Sequence, residues 1–258
     1  SLDDSGLWEG DVTGAVNGDK YAGALSYQKA HDDGFRVNNE TQIVNYRGFF
    51  EYSPNYKDSY QLNVQLGSKE SGDLPLPDAP VSPQYISLDT EFTNIGFGYH
   101  RILSPSAHLA VSAIYNETEQ ETTDLFSGIK GEGTLKGPQV EVQSVFRMGK
   151  KTSWIVGAGG FDGSVELESG GSEISQDDTF VNGYAYVRFS DLGPFEVTVG
   201  GSVDRVDAPL GLLVLENSRI TQAEIGFSET KFNPKLGVSV YLPSKTVLRA
   251  AGYYRTAP

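Results

Sequence analysis

Apolar and polar residues alternate along most of this chain with a period of two, in segments of about ten residues. In the clearest segment, residues 60–67, the even positions are apolar and the odd positions are polar or Gly. Successive side chains of a β-strand point to opposite faces, so this alternation predicts strands with one apolar face. Ten residues is also about the length that a tilted strand needs to cross a bilayer. About twelve such strands are predicted over the whole chain.

The connections between the predicted strands alternate strictly between short and long. Short turns are predicted at Asn17–Asp19, Ser53–Asp58, Ile102–Ser106, Gly149–Thr152, Ser190–Pro194 and Leu242–Lys245. Long polar loops are predicted at Lys29–Glu40, Glu70–Glu91, Asn116–Pro138, Asp162–Asp178 and Arg205–Lys231. Outer-membrane barrels have short periplasmic turns and long extracellular loops, whereas soluble sandwiches and propellers have no reason for such regularity. The pattern therefore predicts an all-β, antiparallel, up-and-down transmembrane β-barrel.

The two parities of the strands predict which side chains face lipid and which line the lumen. The lipid-facing set is Tyr60, Leu62, Val64, Leu66, Val140, Val142, Phe146, Phe195, Val197 and Val199. The lumen-lining set is Glu9, Asp11, Arg47, Glu51, Gln61, Asn63, Gln65, Glu141, Gln143, Arg147, Arg188, Glu196, Asp204, Lys235 and Arg249. Its acidic and basic members nearly balance, so the predicted lumen is polar without strong preference for either charge.

Composition supports this class and excludes several others. The hydrophobic content is only 38%, and no apolar run approaches the roughly 20 residues of a spanning helix. A barrel hides its membrane signal because its two parities average to a polar hydropathy. The formal net charge of −14 argues against nucleic acid as a partner, and the excess acid lies in the predicted loops. An acidic rim can concentrate cations or bridge to lipopolysaccharide through divalent metal, although acidic loops also serve solubility alone.

Residues 1–258 are expected to form one barrel domain that is incomplete at one or both ends. The turn pattern makes the first strand run inward and the last run outward, whereas bacterial single-chain barrels have both termini in the periplasm. At least one further strand is therefore expected before Gly6 and another after Arg255. The full protein would have 14–16 strands or more.

No catalytic residue, cofactor site or metal site is predicted, and we expect the protein not to be an enzyme. The chain contains no Cys and three His, so it offers little for thiol, metal or triad chemistry. His31-Asp32-Asp33 stands at the outer end of the second strand, but a general base also needs an oriented partner and a pocket. His100 and His108 flank a short turn and are expected to be wall or interface residues. The Gly-rich stretch 157–163 lacks nucleotide-loop spacing and fits strand curvature.

Several short stretches resemble one family of outer-membrane barrels. Their order is similar to that in barrels fused behind tetratricopeptide repeats in Gram-negative bacteria. The stretches are residues 33–39, the Ser53-Pro54 turn, residues 72–74, Leu103-Ser104-Pro105, residues 232–237 and residues 248–251. This resemblance implies a role in export or surface assembly, with a periplasmic repeat domain as a possible partner. Residues 248–258 also resemble the barrels of TonB-dependent receptors, which have an N-terminal plug and about 22 strands.

From these features we predict an outer-membrane conduit or scaffold for export or assembly of a polymer, either exopolysaccharide or a protein fibre. Outer-membrane lipid, lipopolysaccharide and the exported polymer are its expected partners. The alternative is a porin or a TonB-dependent type of uptake channel for small solutes, and a barrel hydrolase with a rim site comes third. An upstream repeat domain would favour export, and a plug would favour uptake.

Overall fold

The protein is a single antiparallel sheet of twelve strands over the residues that the structure describes. This computed structural model describes residues 6–34, 39–72, 86–125, 128–149, 151–169, 172–216, 219–243 and 246–254. The strands are β1 (Trp8–Asn17), β2 (Tyr21–Asp32), β3 (Thr41–Tyr52), β4 (Asp58–Gly72), β5 (Ile86–Ser104), β6 (Ala107–Asp124), β7 (Lys130–Met148), β8 (Thr152–Ser169), β9 (Ser172–Leu192), β10 (Phe195–Glu216), β11 (Arg219–Tyr241) and β12 (Val247–Tyr253).

Each strand pairs only with its neighbours in the chain, in the order β1 to β12. The predicted all-β, up-and-down class and the strand number are therefore confirmed. In the described part of the chain, β1 and β12 are each paired along one edge only. No helix in that part is long and apolar enough to cross a membrane.

The short turns lie where the sequence predicts them, but most of the predicted long loops are wrong. Residues 116–138, 162–178 and 205–231 belong largely to strands, which continue as far as Asp124, Ser169 and Glu216 before the next strands begin at Lys130, Ser172 and Arg219. The predicted loop at residues 70–91 shortens to the segment between β4 and β5, and residues 73–85 lie outside the described part. The physical reason is that both faces of these strands are polar or mixed there, so the apolar alternation fades while the backbone ladder continues.

Strands β5 to β11 are much longer than a membrane crossing requires. They have 18 to 23 residues, against about 9–11 for a transmembrane strand. Because the short turns align at one end, the surplus stands at the other end as tall hairpins. The wall therefore has a membrane-height part and a part that rises beyond it.

Candidate functional site

The strand register places the predicted lumen and lipid sets on two opposite faces. Directly opposed residues of an antiparallel pair share a face, so a face can be followed from strand to strand. One such row passes through Glu51, Gln61, Gly98, Ser112, Glu141, Gly159, Asn182, Asp204 and Lys231. All fifteen predicted lumen residues have this parity, which we call the inner face. All ten predicted lipid residues have the other parity, the outer face. That the inner face bounds a lumen and the outer face meets lipid stays a prediction.

Aromatic rows mark two levels on the outer face of β2 to β5. The lower row consists of Tyr21, Tyr52, Tyr60 and Tyr99 in direct register. Six residues higher, the rings of Tyr27 and Tyr46 lie 5.0 Å apart. Between the levels the outer face carries Phe50, Leu62 and Phe97 in register. Two tyrosine levels around an apolar band are typical of the aromatic girdles at the two membrane interfaces.

The apolar band crosses the sheet obliquely, at the angle expected of a barrel. On β4 its upper limit is Leu66, and on β10 it is Val203, which shares a row with Tyr60. The limit therefore moves by six residues, from 66 to 60, over the six steps from β4 to β10. With strands spaced about 4.8 Å apart and a rise of about 3.3 Å per residue, this shift corresponds to a tilt of roughly 35°. Strands of transmembrane barrels are tilted by about 35–45°.

The sheet has no protein core against its outer face. Among the described residues no apolar side chain is buried, and Leu25, on the outer face, is 72% exposed. A soluble sheet would cover such a face with a second layer. A one-layer wall with this apolar band fits a bilayer, which supplies the second apolar phase.

The inner face at membrane height is held by hydrogen bonds between polar side chains on different strands. Tyr184 on β9 donates to Glu141 on β7, and Gln143 donates to the Tyr184 hydroxyl at 2.8 Å. Glu51 accepts from Ser53 at 3.1 Å and from Ser59 at 3.0 Å.

Further along the same face, Arg188 Nη2 lies 2.9 Å from Glu196 Oε2, which links β9 to β10. Near β1 to β6 this face borders a cavity of about 510 Å³ lined by Arg47, Gln61, Asn63, Gln65 and Asn94, among others. Acid and base alternate along this wall, so it can contact a polar solute without a single dominant charge.

Above the membrane band the outer face becomes charged and the inner face becomes mixed, with apolar residues concentrated on β7 and β8. On the hairpins of β6 to β9, the inner face gains apolar side chains on β7, β8 and β9, stays polar on β6, and borders a second cavity of about 640 Å³. Its lining includes the apolar Leu135, Val165, Leu167 and Ile174 and the polar Thr118, Gln120 and Thr122. The outer face at the same height is charged. Lys136 Nζ lies 3.0 Å from Glu166 Oε1. The tall hairpins therefore present charge outward and a partly apolar surface inward.

Six carboxylates form one continuous row across the outer face of the tall hairpins. Direct register joins Glu70, Asp89, Glu121, Glu132, Glu168 and Glu173 on β4 to β9. Like charges directly opposed across strands destabilise a sheet. Lys130 offsets part of this repulsion, since its ammonium donates to Glu121 and holds the pKa of that carboxyl below its usual range.

The change of polarity was missed in the sequence, although a signal for it was present. Val165-Glu166-Leu167-Glu168 alternates with period two, but its apolar parity is the one that faces inward in β8. The phase of the apolar positions therefore inverts between residues 154–160 and residues 165–168. A search for period two alone does not reveal such an inversion, whereas a comparison of phase along each strand would.

The structure gives little support to a catalytic site at His31, at the outer end of β2. His31 Nε2 lies 2.7 Å from Asp33 Oδ1, but His31 has the outer parity, opposite Trp8 and Gln42. It therefore lies on the face turned away from both inner cavities. The Gly-rich stretch 157–163 lies inside β8, as strand curvature predicts.

No family model matches the chain, and no curated protein matches its sequence. Solved structures, however, are similar to it over nearly its whole length. The alcaligin outer-membrane receptor FauA from Bordetella pertussis matches 91% of this chain and 38% of its own, with 13% identity and a TM-score of 0.71. The copper transporter OprC matches 96% and 42%, with 9% identity and a TM-score of 0.81. The ferric citrate transporter FecA matches 95% and 40%, with 14% identity and a TM-score of 0.75.

These similarities establish the fold class: an outer-membrane β-barrel wall of the kind found in TonB-dependent receptors. The predicted location in the outer membrane is confirmed with it. The chain spans about two fifths of the length of these three solved proteins. The resemblance to repeat-fused barrels remains without support, and the second resemblance, to TonB-dependent receptors, fits better. These solved proteins are receptors and transporters, which is consistent with a protein that is not an enzyme.

Proposed function

We propose that this chain forms part of the wall of an outer-membrane uptake receptor of the TonB-dependent type. Its similarity to solved receptors and transporters supports uptake over the polymer export that the sequence first favoured. The substrate enters at the tall hairpins and passes the mixed-charge inner face at membrane height. Lipid contacts the outer apolar band, and water and lipopolysaccharide meet the acidic hairpins.

The change of polarity at the tall hairpins is the observation that carries this proposal. An open conduit for a hydrated polymer needs a polar lining along its full height. Here Leu135, Val165 and Leu167 instead create an apolar patch on the inner surface, next to the polar residues of β6. Such a surface inside a water-filled mouth is a binding surface rather than a passage. It suits a solute with an apolar portion and polar groups that the lower wall then contacts.

Single-channel conductance of the full-length protein in planar bilayers tests uptake against passive export. Large barrels of uptake transporters carry a plug in the lumen, so we expect little steady conductance. Large steady conductance would indicate an open conduit and would overturn the proposal.

Cysteine labelling tests whether the inner surface of the tall hairpins is enclosed, and it is straightforward because this chain has no native Cys. Leu167→Cys and Glu166→Cys are neighbours on opposite faces of β8 and form a matched pair. In cells that display the full-length protein, a small impermeant maleimide should label both. A bulky polyethylene-glycol maleimide should label only the Glu166→Cys variant, because the closed barrel that we propose would shield the inner position. Equal labelling of both variants by the bulky reagent would contradict enclosure of this inner surface.

A further inference from the structure

Two of the three histidines in the chain meet on the inner face near a short turn. His100 on β5 lies opposite Ala110, and His108 on β6 lies opposite Ile102, so the two are diagonal neighbours of the same parity. Their rings stack with centroids 5.5 Å apart and planes 19° apart. His100 Nε2 lies 3.3 Å from His108 Nδ1. Two imidazole nitrogens are thereby directed towards one another on an accessible surface.

The nitrogen separation fits two ligands of one metal ion. Zinc binds imidazole nitrogen at about 2.0–2.1 Å, and two ligands at a tetrahedral angle are then roughly 3.3 Å apart. In the metal-free pair one ring donates an N–H to the other. Moving that hydrogen to the other nitrogen of the donor ring, a change of tautomer, frees both facing lone pairs without loss of a proton.

The two sides of the pair differ in polarity. Ser59 lies opposite His100 on the neighbouring strand, and its hydroxyl donates to Glu51 at 3.0 Å. A carboxylate thus lies one side chain away on the same face. Val145 lies opposite His108 on the other side and limits hydration there. The pair therefore has a carboxylate on one side, and on the other side Val145 followed by Arg147 two residues further along β7.

We propose that His100 and His108 form a two-imidazole binding site for a divalent transition-metal ion such as Cu²⁺, Zn²⁺ or Ni²⁺. Imidazole suits these ions, and Cu²⁺ binds such donors most tightly in the first-row series. Within the described ranges no group of three or more His, Cys, Asp or Glu side chains is arranged for metal. Water or a ligand carried by the ion therefore completes the coordination. A site with two protein ligands and open positions exchanges its ion readily, which suits a transient stop on a transport route.

Electron paramagnetic resonance of Cu²⁺ added to the full-length protein tests the site. Coupling to imidazole nitrogen should appear with one equivalent of Cu²⁺ and be lost in both His100→Gln and His108→Gln. His31→Gln is the matched control, because it removes the third histidine from the other face, and it should leave the signal unchanged. A signal that survives in either of the first two variants, or one lost in His31→Gln, would overturn the proposal. All variants should still migrate as folded barrels on gels run with unheated samples and change their migration after heating. This control distinguishes loss of metal binding from loss of the fold.

The result is independent of the proposed uptake function. A protein that is silent in planar bilayers and lacks the Cu²⁺ signal would remain a receptor candidate without this site. A conducting protein with the signal would be a metal-binding conduit.

Discussion

Tyr184 on β9 donates a hydrogen bond to Glu141 on β7 by reaching across β8 directly above Gly157. A Cβ atom on Gly157 would collide with the end of the Tyr184 ring. The glycine therefore leaves the space through which a tyrosine connects two strands that are not themselves paired. Gly157 has its role through this absence of a side chain rather than through backbone freedom.

We expect Gly157→Ala to destabilise the protein because the Tyr184 ring must move away from Glu141 and Gln143. Overpacking of this kind costs about 1–3 kcal/mol. Gly96→Ala is the matched control on the same face, since its Cβ would meet Asn63 and Ile114 at an ordinary 3.8 Å. Urea unfolding of the full-length protein in phospholipid vesicles measures both. Equal stability of the two variants would contradict the role given to Gly157.

Removing only the hydroxyl of Tyr184 tests the hydrogen bonds without the steric change. Tyr184→Phe leaves Glu141 and Gln143 without this partner, and we expect a loss of about 1–2 kcal/mol in the free energy of unfolding. In the double variant with Gly157→Ala, the second change should add less than it costs alone, because both act on the same contacts. Fully additive costs would show that Gly157 does not act through Tyr184.

The assignment of the two faces predicts unequal costs for arginine at adjacent positions of β4. Val64→Arg places a charge on the outer apolar band and should cost about 2–4 kcal/mol near the midplane. Asn63→Arg places it on the inner face and should cost much less. Asn63 is a better control than Gln65, because Gln65 lies directly opposite Arg47. Equal costs in vesicle unfolding would refute the assignment of lipid and lumen.

The two parities and the number of strands could be predicted from sequence because a strand that crosses a bilayer needs one apolar parity over about ten residues. That demand ends at the membrane surface. Above it, residues such as Glu119 and Thr134 pair in the ladder although nothing in their hydropathy marks a strand. The contact between His100 and His108 could not be predicted from sequence either, because it depends on the exact register of β5 and β6 across the short turn. His31 was the histidine considered for a catalytic rim site from sequence, and it lies on the outer face, away from both inner cavities.

The short turn before β4 should give a pH-dependent stability. Hydrogen bonds from Asn55 and Tyr99, with the nearby Arg101 guanidinium, lower the pKa of Asp58 below the ordinary aspartate value. A carboxyl whose pKa is lower in the folded state stabilises the fold above its unfolded pKa, and this contribution fades as the pH falls through its folded pKa. Asp58→Asn should therefore lower the melting temperature at pH 7, and the difference should shrink below roughly pH 4.

Asp19→Asn, in the preceding short turn, is the control for this measurement, because within the described part of the chain no side-chain hydrogen bond or ion pair holds the Asp19 carboxylate. It should change the melting temperature little at any pH. A difference between wild type and Asp58→Asn that stays constant from pH 7 to pH 3 would contradict the contribution of the Asp58 charge.

The row of six carboxylates predicts that electrostatic repulsion lowers the stability of the tall hairpins. Glu132 lies between Glu121 and Glu168, so Glu132→Lys replaces two repulsive pairs with attractive ones. Each cross-strand pair is worth about 0.2–1 kcal/mol. We expect higher stability at low ionic strength, with a smaller gain for Glu132→Gln. The gain should nearly vanish in 1 M salt, where the screening length falls to about 3 Å. A gain that is insensitive to salt would point to packing instead of charge.

The strictly sequential order of the strands has a consequence for biogenesis. Every pairing joins chain neighbours, so contact order is low and each hairpin closes at small entropic cost. The wall can therefore grow by one hairpin at a time from either end. At every stage, however, the newest strand exposes a row of unpaired amides and carbonyls to the bilayer, where no water can satisfy them. Insertion of this protein must therefore be guided by a catalyst that shields the growing edge until the next hairpin arrives.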